Sequence, residues 1–185
     1  MGNMVLKSYS PMAQHTGTWL RGYSWNIYGC GTFSKPVGEV YAVALMKRFM
    51  EKLDHKLRAP VSYYAALERR YSGCGMSPIP VHWHFLAACP RSEGMVNLAT
   101  RIWEDQCGNA KIERYDGTRY GCFYVSKLVN HANGAILDGK FEHLKYNGPT
   151  DLLAAAATDP YVPNNLKDKV FGKYLALRDA DLCVC

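Results

Sequence analysis

Hydrophobic positions follow two periods along this chain, and the clearest is helical. Over residues 37–57, Val40, Val43, Ala44, Met46, Phe49, Met50 and Leu53 recur at helical spacing, with Lys47, Arg48, Glu51 and Lys52 between them, which predicts an amphipathic helix. A second helix is predicted over 95–106, with Leu98, Ile102 and Trp103 inward and Gly108 closing it, and a third over 120–133, ended by Gly134. Strand patterns lie between them. The stretch 19–33 is aromatic-rich, with Tyr23, Trp25, Ile27 and Tyr28. In 61–71, Tyr63, Ala65 and Leu67 share one face and Tyr64, Ala66 and Glu68 the other, and further strands are predicted over 81–88, 111–115 and 141–146. Gly73, Gly75, Pro78 and Pro80 mark 72–80 as a hairpin loop, so the strands on either side of it are expected to be antiparallel neighbours. Residues 1–18 lack periodicity and read as an arm or loop, while 147–185 reads as a C-terminal helical extension.

The order β α β β α β α β predicts an α+β fold: a central, mostly antiparallel sheet with helices packed on one face, related to the split βαβ or ferredoxin-like arrangement. The 185 residues fit a single domain with its core over about 19–146, and leave no room for a helicase domain.

Composition narrows the class only slightly. A hydrophobic fraction of 48% and a charged fraction of 21% are those of a soluble globule, and no apolar run is long enough to span a membrane. The net charge of +6 favours a polyanionic partner. Cysteines at 30, 74, 89, 107, 122, 183 and 185 form an odd set without CxxC spacing, and no signal-peptide pattern precedes the body of the chain. A cytoplasmic location is therefore expected, or a nuclear one in a eukaryotic host, rather than secretion. Asp179 and Asp181 beside the tail Cys183-Val184-Cys185 carry the wrong charge for a lipidated membrane contact.

Candidate chemistry begins at His82 and His84. At i and i+2 on a strand, two imidazoles face the same way and make a metal clamp, for which Glu68 is the best-placed carboxylate on the adjacent strand. Mixed nitrogen and oxygen donors suit Mn2+, with Mg2+ as the harder alternative, and leave positions open for a phosphate oxygen and water. On the helix over 120–133, Tyr124 and Lys127 share a face at i and i+3. A phenol with a pKa of about 10 needs positive charge nearby to act as a nucleophile, and Lys127 supplies it or grips the phosphate. Arg69, Arg70, Lys111, Arg114 and Arg119 are candidates for tracking a phosphate backbone, with Trp83, Tyr115 and Tyr120 as stacking surfaces.

Each motif also has a plainer meaning. His82 and His84 read equally as two ordinary strand histidines, Tyr124 as a core aromatic, Lys127 as solvated helix surface, and Glu68-Arg69-Arg70 as a charged strand end. Two other functions share parts of the pattern. One is a non-catalytic module that stacks single-stranded nucleic acid on an antiparallel sheet. The other is a histidine-based phosphodiesterase, which needs a second His motif that His15, His55, His131 and His143 do not form.

The joint order and spacing of these motifs resembles the HUH endonucleases, and among them the single-tyrosine rolling-circle replication initiators (Rep). Gly31-Thr32-Phe33 is similar to that family's first motif, which helps shape the DNA-binding face; His82-Trp83-His84 to its metal motif; and Tyr124-Val125-Ser126-Lys127 to its tyrosine motif. The resemblance implies a metal-dependent nickase of single-stranded or stem-loop DNA at a replication origin. Tyr124 would form a covalent 5′-phosphotyrosine, Glu68 would complete the clamp, and Thr32 would lie on the DNA face. Host helicase and polymerase are the implied partners, and a transposase of a mobile element is an equally compatible role.

Overall fold

The computed structural model describes residues 11–70, 79–91, 93–117, 121–126, 136–140 and 143–144. Their elements run α1 (Pro11–Arg21), β1 (Ile27–Thr32), α2 (Glu39–Leu57), β2 (Ser62–Arg70), β3 (Ile79–Ala88), α3 (Met95–Gln106), β4 (Ala110–Arg114), α4 (Gly121–Ser126) and β5 (Ile136–Gly139). The strands form one sheet in the order β4-β1-β3-β2-β5, and every neighbouring pair is antiparallel. Because β3 lies between β1 and β2, the β1–α2–β2 unit is split, and β1 splits the β3–α3–β4 unit in the same way.

Strand alternation gives the sheet two different faces. Ile27, Ala65, Leu67, Trp83, Phe85, Ala87 and Ile112 turn to one side and pack on Met46, Phe49 and Leu53 of α2 and on Met95, Ala99 and Trp103 of α3. After Ile27, β1 contributes only glycines to this side. A Cβ on Gly29 would run into the Phe85 ring, and one on Gly31 into the Trp103 indole, so these glycines make room for aromatic neighbours. Tyr64, Ala66, Leu86 and Ala88 turn to the other side, where Trp19, Leu20, Tyr23, Trp25, Cys122 and Val125 cover part of the sheet.

Four sequence expectations change. The helices cover both faces rather than one, since α1 and α4 pack opposite α2 and α3. Residues 11–21 form a helix, not part of an arm. Its buried positions are Ala13, Thr16, Gly17, Trp19 and Leu20, and the first three are too small or polar to register as hydrophobic periodicity. The first strand is confined to Ile27–Thr32; Trp19, Tyr23 and Trp25 fill the second core, with the Trp25 indole N–H donating to the Leu20 carbonyl at 2.7 Å. The last described strand is the edge strand Ile136–Gly139, which the sequence did not predict; of the strand expected over 141–146 only 143–144 lie within the described residues, and these are not in a strand. The predicted extension over 147–185 lies outside the described residues, and no helix within them is long and apolar enough to cross a membrane.

Candidate metal and nucleophile site

The site lies on the α1/α4 side of the sheet, where apolar packing gives way to polar side chains. β3 supplies His82 and His84 to this face while Trp83 between them turns to the other. Trp83 is 0% exposed, and its indole N–H donates to the Ala42 carbonyl of α2 at 3.3 Å. It anchors the strand and is not available for stacking on a base, a correction to its expected role.

Register brings the flanking strands to the histidines. Glu68 of β2 sits directly opposite His82, and Cys30 of β1 directly opposite His84. Directly opposed side chains on one sheet face are about 4.5–5.5 Å apart at Cβ, so His82 lies between Glu68 of β2 and Thr32 of β1, while His84 lies between Cys30 of β1 and the small Ala66 of β2. The regular β2 pairing ends at Glu68, with a bulge between it and Arg70. Glu68 Oε2 lies 3.2 Å from His82 Nε2 and 2.9 Å from His84 Nε2, with Glu68 5% and His84 4% exposed. A carboxylate this buried needs a compensating partner, and both imidazoles are aimed at the same oxygen.

His84 is held at both nitrogens, because its Nδ1 lies 3.1 Å from the Tyr28 hydroxyl. A neutral imidazole carries one N–H. With that proton on Nε2 the ring donates to Glu68 and accepts from Tyr28; with the Nε2 lone pair given to an ion, Nδ1–H donates to the Tyr28 oxygen instead. Both tautomers are satisfied, so Tyr28 fixes the ring orientation in either state. Burial, with smaller contributions from Cys30 and Tyr124, holds the Tyr28 hydroxyl well above the ordinary phenol range.

α4 brings in the tyrosine. Cys122 and Val125 bury against the sheet and Ser126 bonds back to α1, which leaves half-buried Tyr124 on the flank of the helix beside the histidines. Its ring meets that of His84 edge to face, with centroids 4.7 Å apart. The site thus brings together Glu68, His82, His84 and Tyr124.

The remaining candidates are dispersed. Thr32, opposite His82, shares the site face, and its Oγ donates to the Asn109 carbonyl at 3.0 Å. Lys111, exposed on edge strand β4, pairs with Cys30 and so also lies on the site face. Arg114 pairs with Ile27, which puts it on the opposite face of the sheet, away from the site. Arg69 and Arg70 close β2 at its bulge. Lys127 and Arg119 lie outside the described residues, as does Tyr120.

Two residues escaped the sequence reading. Cys30, His82 and His84 place their ligand atoms all within 4.8 Å of one another, a set able to hold a metal ion. The donor chemistry fits a divalent cation: two imidazole nitrogens with a thiol from β1, and a carboxylate from β2 against the same two imidazoles. Cys30 was legible only through the pairing of β1 with β3, and Tyr28 only through the same register two positions earlier. Compared with protein-family models, with curated proteins and with solved structures, the chain matches none.

Proposed function

We propose that this protein is a metal-dependent single-stranded DNA endonuclease of the HUH type, acting as a rolling-circle initiator that nicks and rejoins its substrate. The single observation that carries the reading is the Tyr124 ring 4.7 Å from the His84 ring, with Nε2 of both histidines within 3.2 Å of Glu68 Oε2. A phenol from α4 beside an N,N,O donor set on the sheet supports that reading.

His82, His84 and Glu68 would hold the ion, for which Mn2+ or Mg2+ suits the nitrogen and oxygen donors. Bound there, a divalent cation supplies the positive charge that a phosphodiester needs to accept an incoming oxyanion. The chain's own part follows from its geometry. The Tyr124 hydroxyl gives up its proton and attacks phosphorus; the new P–O bond joins the tyrosine to the 5′ phosphate of the downstream fragment, the P–O3′ bond breaks, and the 3′ oxygen of the upstream fragment leaves and takes up a proton. Tyr28 orients His84, and the fully buried Trp83 keeps the strand from turning. Thr32 and Lys111 on the same face are positioned for the backbone of the bound strand. The same attack in reverse, by a 3′ hydroxyl on the phosphotyrosine, reseals DNA.

The test is a denaturing gel after incubation with stem-loop oligonucleotides and Mn2+. A protein band shifted by covalent DNA is expected from the native chain and from none of the Tyr124→Phe preparations. Persistence of the band in Tyr124→Phe would assign the nucleophile elsewhere, and its absence throughout the oligonucleotide panel would remove the nickase reading.

A further inference from the structure

We propose that Cys30 is a metal ligand of this centre and that its thiolate makes Zn2+ the ion the site holds most tightly. The proposal rests on the reading of His82 and His84 as a metal clamp and adds the identity of the donor that selects the ion.

The reasons are positional first. Cys30 is hydrogen-bonded into the middle of the sheet, with β3 on one side and β4 on the other, so its Cβ is fixed opposite His84. Gly29 and Gly31 on either side of it turn to the far face, where Phe85 and Trp103 fill the space a side chain would need. The strand therefore cannot rotate to bury the thiol without driving other side chains into those rings. The ligand atoms of Cys30, His82 and His84 lie within 4.8 Å of one another, while a tetrahedral zinc site has donors roughly 3.3–3.8 Å apart, given bonds of about 2.0 Å to nitrogen and 2.3 Å to sulfur. A rotation about the Cys30 χ1 bond and small shifts of the imidazoles close that gap, and the thiol proton is released as the sulfur–metal bond forms.

Chemistry then selects the ion. A thiolate is a soft donor that favours Zn2+ over Mn2+ and Mg2+, and the nitrogen donors already bind Zn2+ more tightly than Mn2+ in the ordinary divalent series. Cys30, His82 and His84 supply three donors of a tetrahedral zinc site and leave the fourth position open. An oxygen-preferring ion uses Glu68 and the histidines, and leaves the thiol aside. Two ions therefore compete for one pair of imidazoles through different third ligands.

The experiment compares metal-stripped native protein with Cys30→Ser and His84→Ala, using Zn2+ and Mn2+ titrations against a chromophoric chelator and the absorption spectrum of the Co2+ complex. Cys30→Ser is expected to weaken Zn2+ binding on the order of 100-fold while Mn2+ binding changes less than about threefold. The native Co2+ complex is expected to show a thiolate-to-cobalt charge-transfer band in the near ultraviolet that Cys30→Ser lacks. Equal Zn2+ affinity in the two proteins, or an undiminished band in Cys30→Ser, overturns the proposal while leaving the histidine clamp intact. Unchanged Mn2+ and Zn2+ binding in His84→Ala overturns the clamp itself. Alkylation of the native protein followed by mass spectrometry is independent of any variant's folding: Zn2+ is expected to protect Cys30, and equal labelling with and without Zn2+ counts against ligation.

Discussion

Glu68 and His82 face each other directly across β2 and β3, and the carboxylate Oε2 that lies 3.2 Å from His82 is shared with His84 at 2.9 Å. One buried oxygen thus serves two imidazoles. Glu68→Gln keeps the shape and removes the charge, so it separates electrostatics from packing. Mn2+ affinity is expected to fall about 10- to 100-fold, with the nicking product lost in proportion and the circular dichroism unchanged. Isothermal titration with Mn2+ checks this; an unaltered dissociation constant would remove Glu68 from the donor set.

Two tyrosines adjoin His84, and the proposed mechanism gives them different work. Tyr28 is kept protonated by burial and bonds His84 Nδ1 at 3.1 Å, whereas Tyr124 approaches the same ring edge-on from α4. Tyr28→Phe is expected to retain the covalent DNA adduct with metal affinity lowered up to about tenfold, while Tyr124→Phe is expected to lose the adduct with metal affinity unchanged. The gel and the metal titration, run on both variants, give opposite patterns. Matching patterns would refute the division of roles.

Much of this arrangement was legible in the sequence, and the parts that were not share one cause. The glycines and prolines of 72–80 located the antiparallel pairing of β2 with β3, and periodicity located α2 and α3, because those segments bury large apolar side chains on one face. It also located His82 and His84, whose spacing alone sets their common direction. The α1 helix was missed because its buried positions Ala13, Thr16 and Gly17 carry little hydrophobic signal. Cys30 and Tyr28 were missed because their role depends on which strand lies beside β3, and sequence order gives no register between β1 and β3. Trp83 was assigned to DNA by its aromaticity, although alternation between two site histidines already points it into the opposite core.

Close approach at Gly31 yields a stability prediction. A Cβ there meets the Trp103 indole, whose N–H donates to the Thr32 carbonyl at 3.1 Å. Gly31→Ala is therefore expected to destabilise the fold by about 1–3 kcal/mol through overpacking, lowering Tm by several degrees. Trp103→Phe in the same chain provides space and is expected to recover part of the loss, so the double-mutant cycle has a coupling energy of compensating sign. Strictly additive effects would show that the two side chains do not compete for this volume.

Two buried thiols set a limit on alkaline stability. Burial pushes Cys107 up to about 11, opposed by Lys52, and pushes Cys122 up to about 12, opposed by the Tyr115 hydroxyl 2.9 Å away and by Arg21. In the unfolded chain both ionise near 9.0, so above that pH the unfolded state holds fewer protons than the folded one and stability falls as pH rises. Cys122, the more enclosed of the two, is expected to contribute up to about 1.4 kcal/mol per pH unit of that slope, and the raised Tyr28 and Tyr115 hydroxyls add to it from about pH 10 upward. Urea midpoints are expected to hold steady below pH 9 and decline toward pH 11, less steeply in Cys122→Ala. A midpoint that stays level to pH 11 would contradict the protonated thiols.

The placement of Tyr124 depends on α4, and α4 is held by α1. The Ser126 hydroxyl, fully buried, bonds the Ala13 carbonyl at 2.6 Å, and Phe123 fits against Gly17, where a Cβ would collide with its ring. Ser126→Ala leaves the Ala13 carbonyl without that donor, at a cost of about 1–3 kcal/mol, and frees α4 to shift along α1. A displacement near 1 Å in a nucleophile is enough to slow attack about 100-fold. The expected outcome is therefore a fall in kcat of roughly 10- to 100-fold with Mn2+ affinity and DNA binding preserved, since His82, His84, Glu68 and the site-face residues Thr32 and Lys111 sit on the sheet rather than on α4. Single-turnover nicking at saturating DNA measures it directly. If kcat holds while stability drops, the contact braces the fold without aiming the tyrosine.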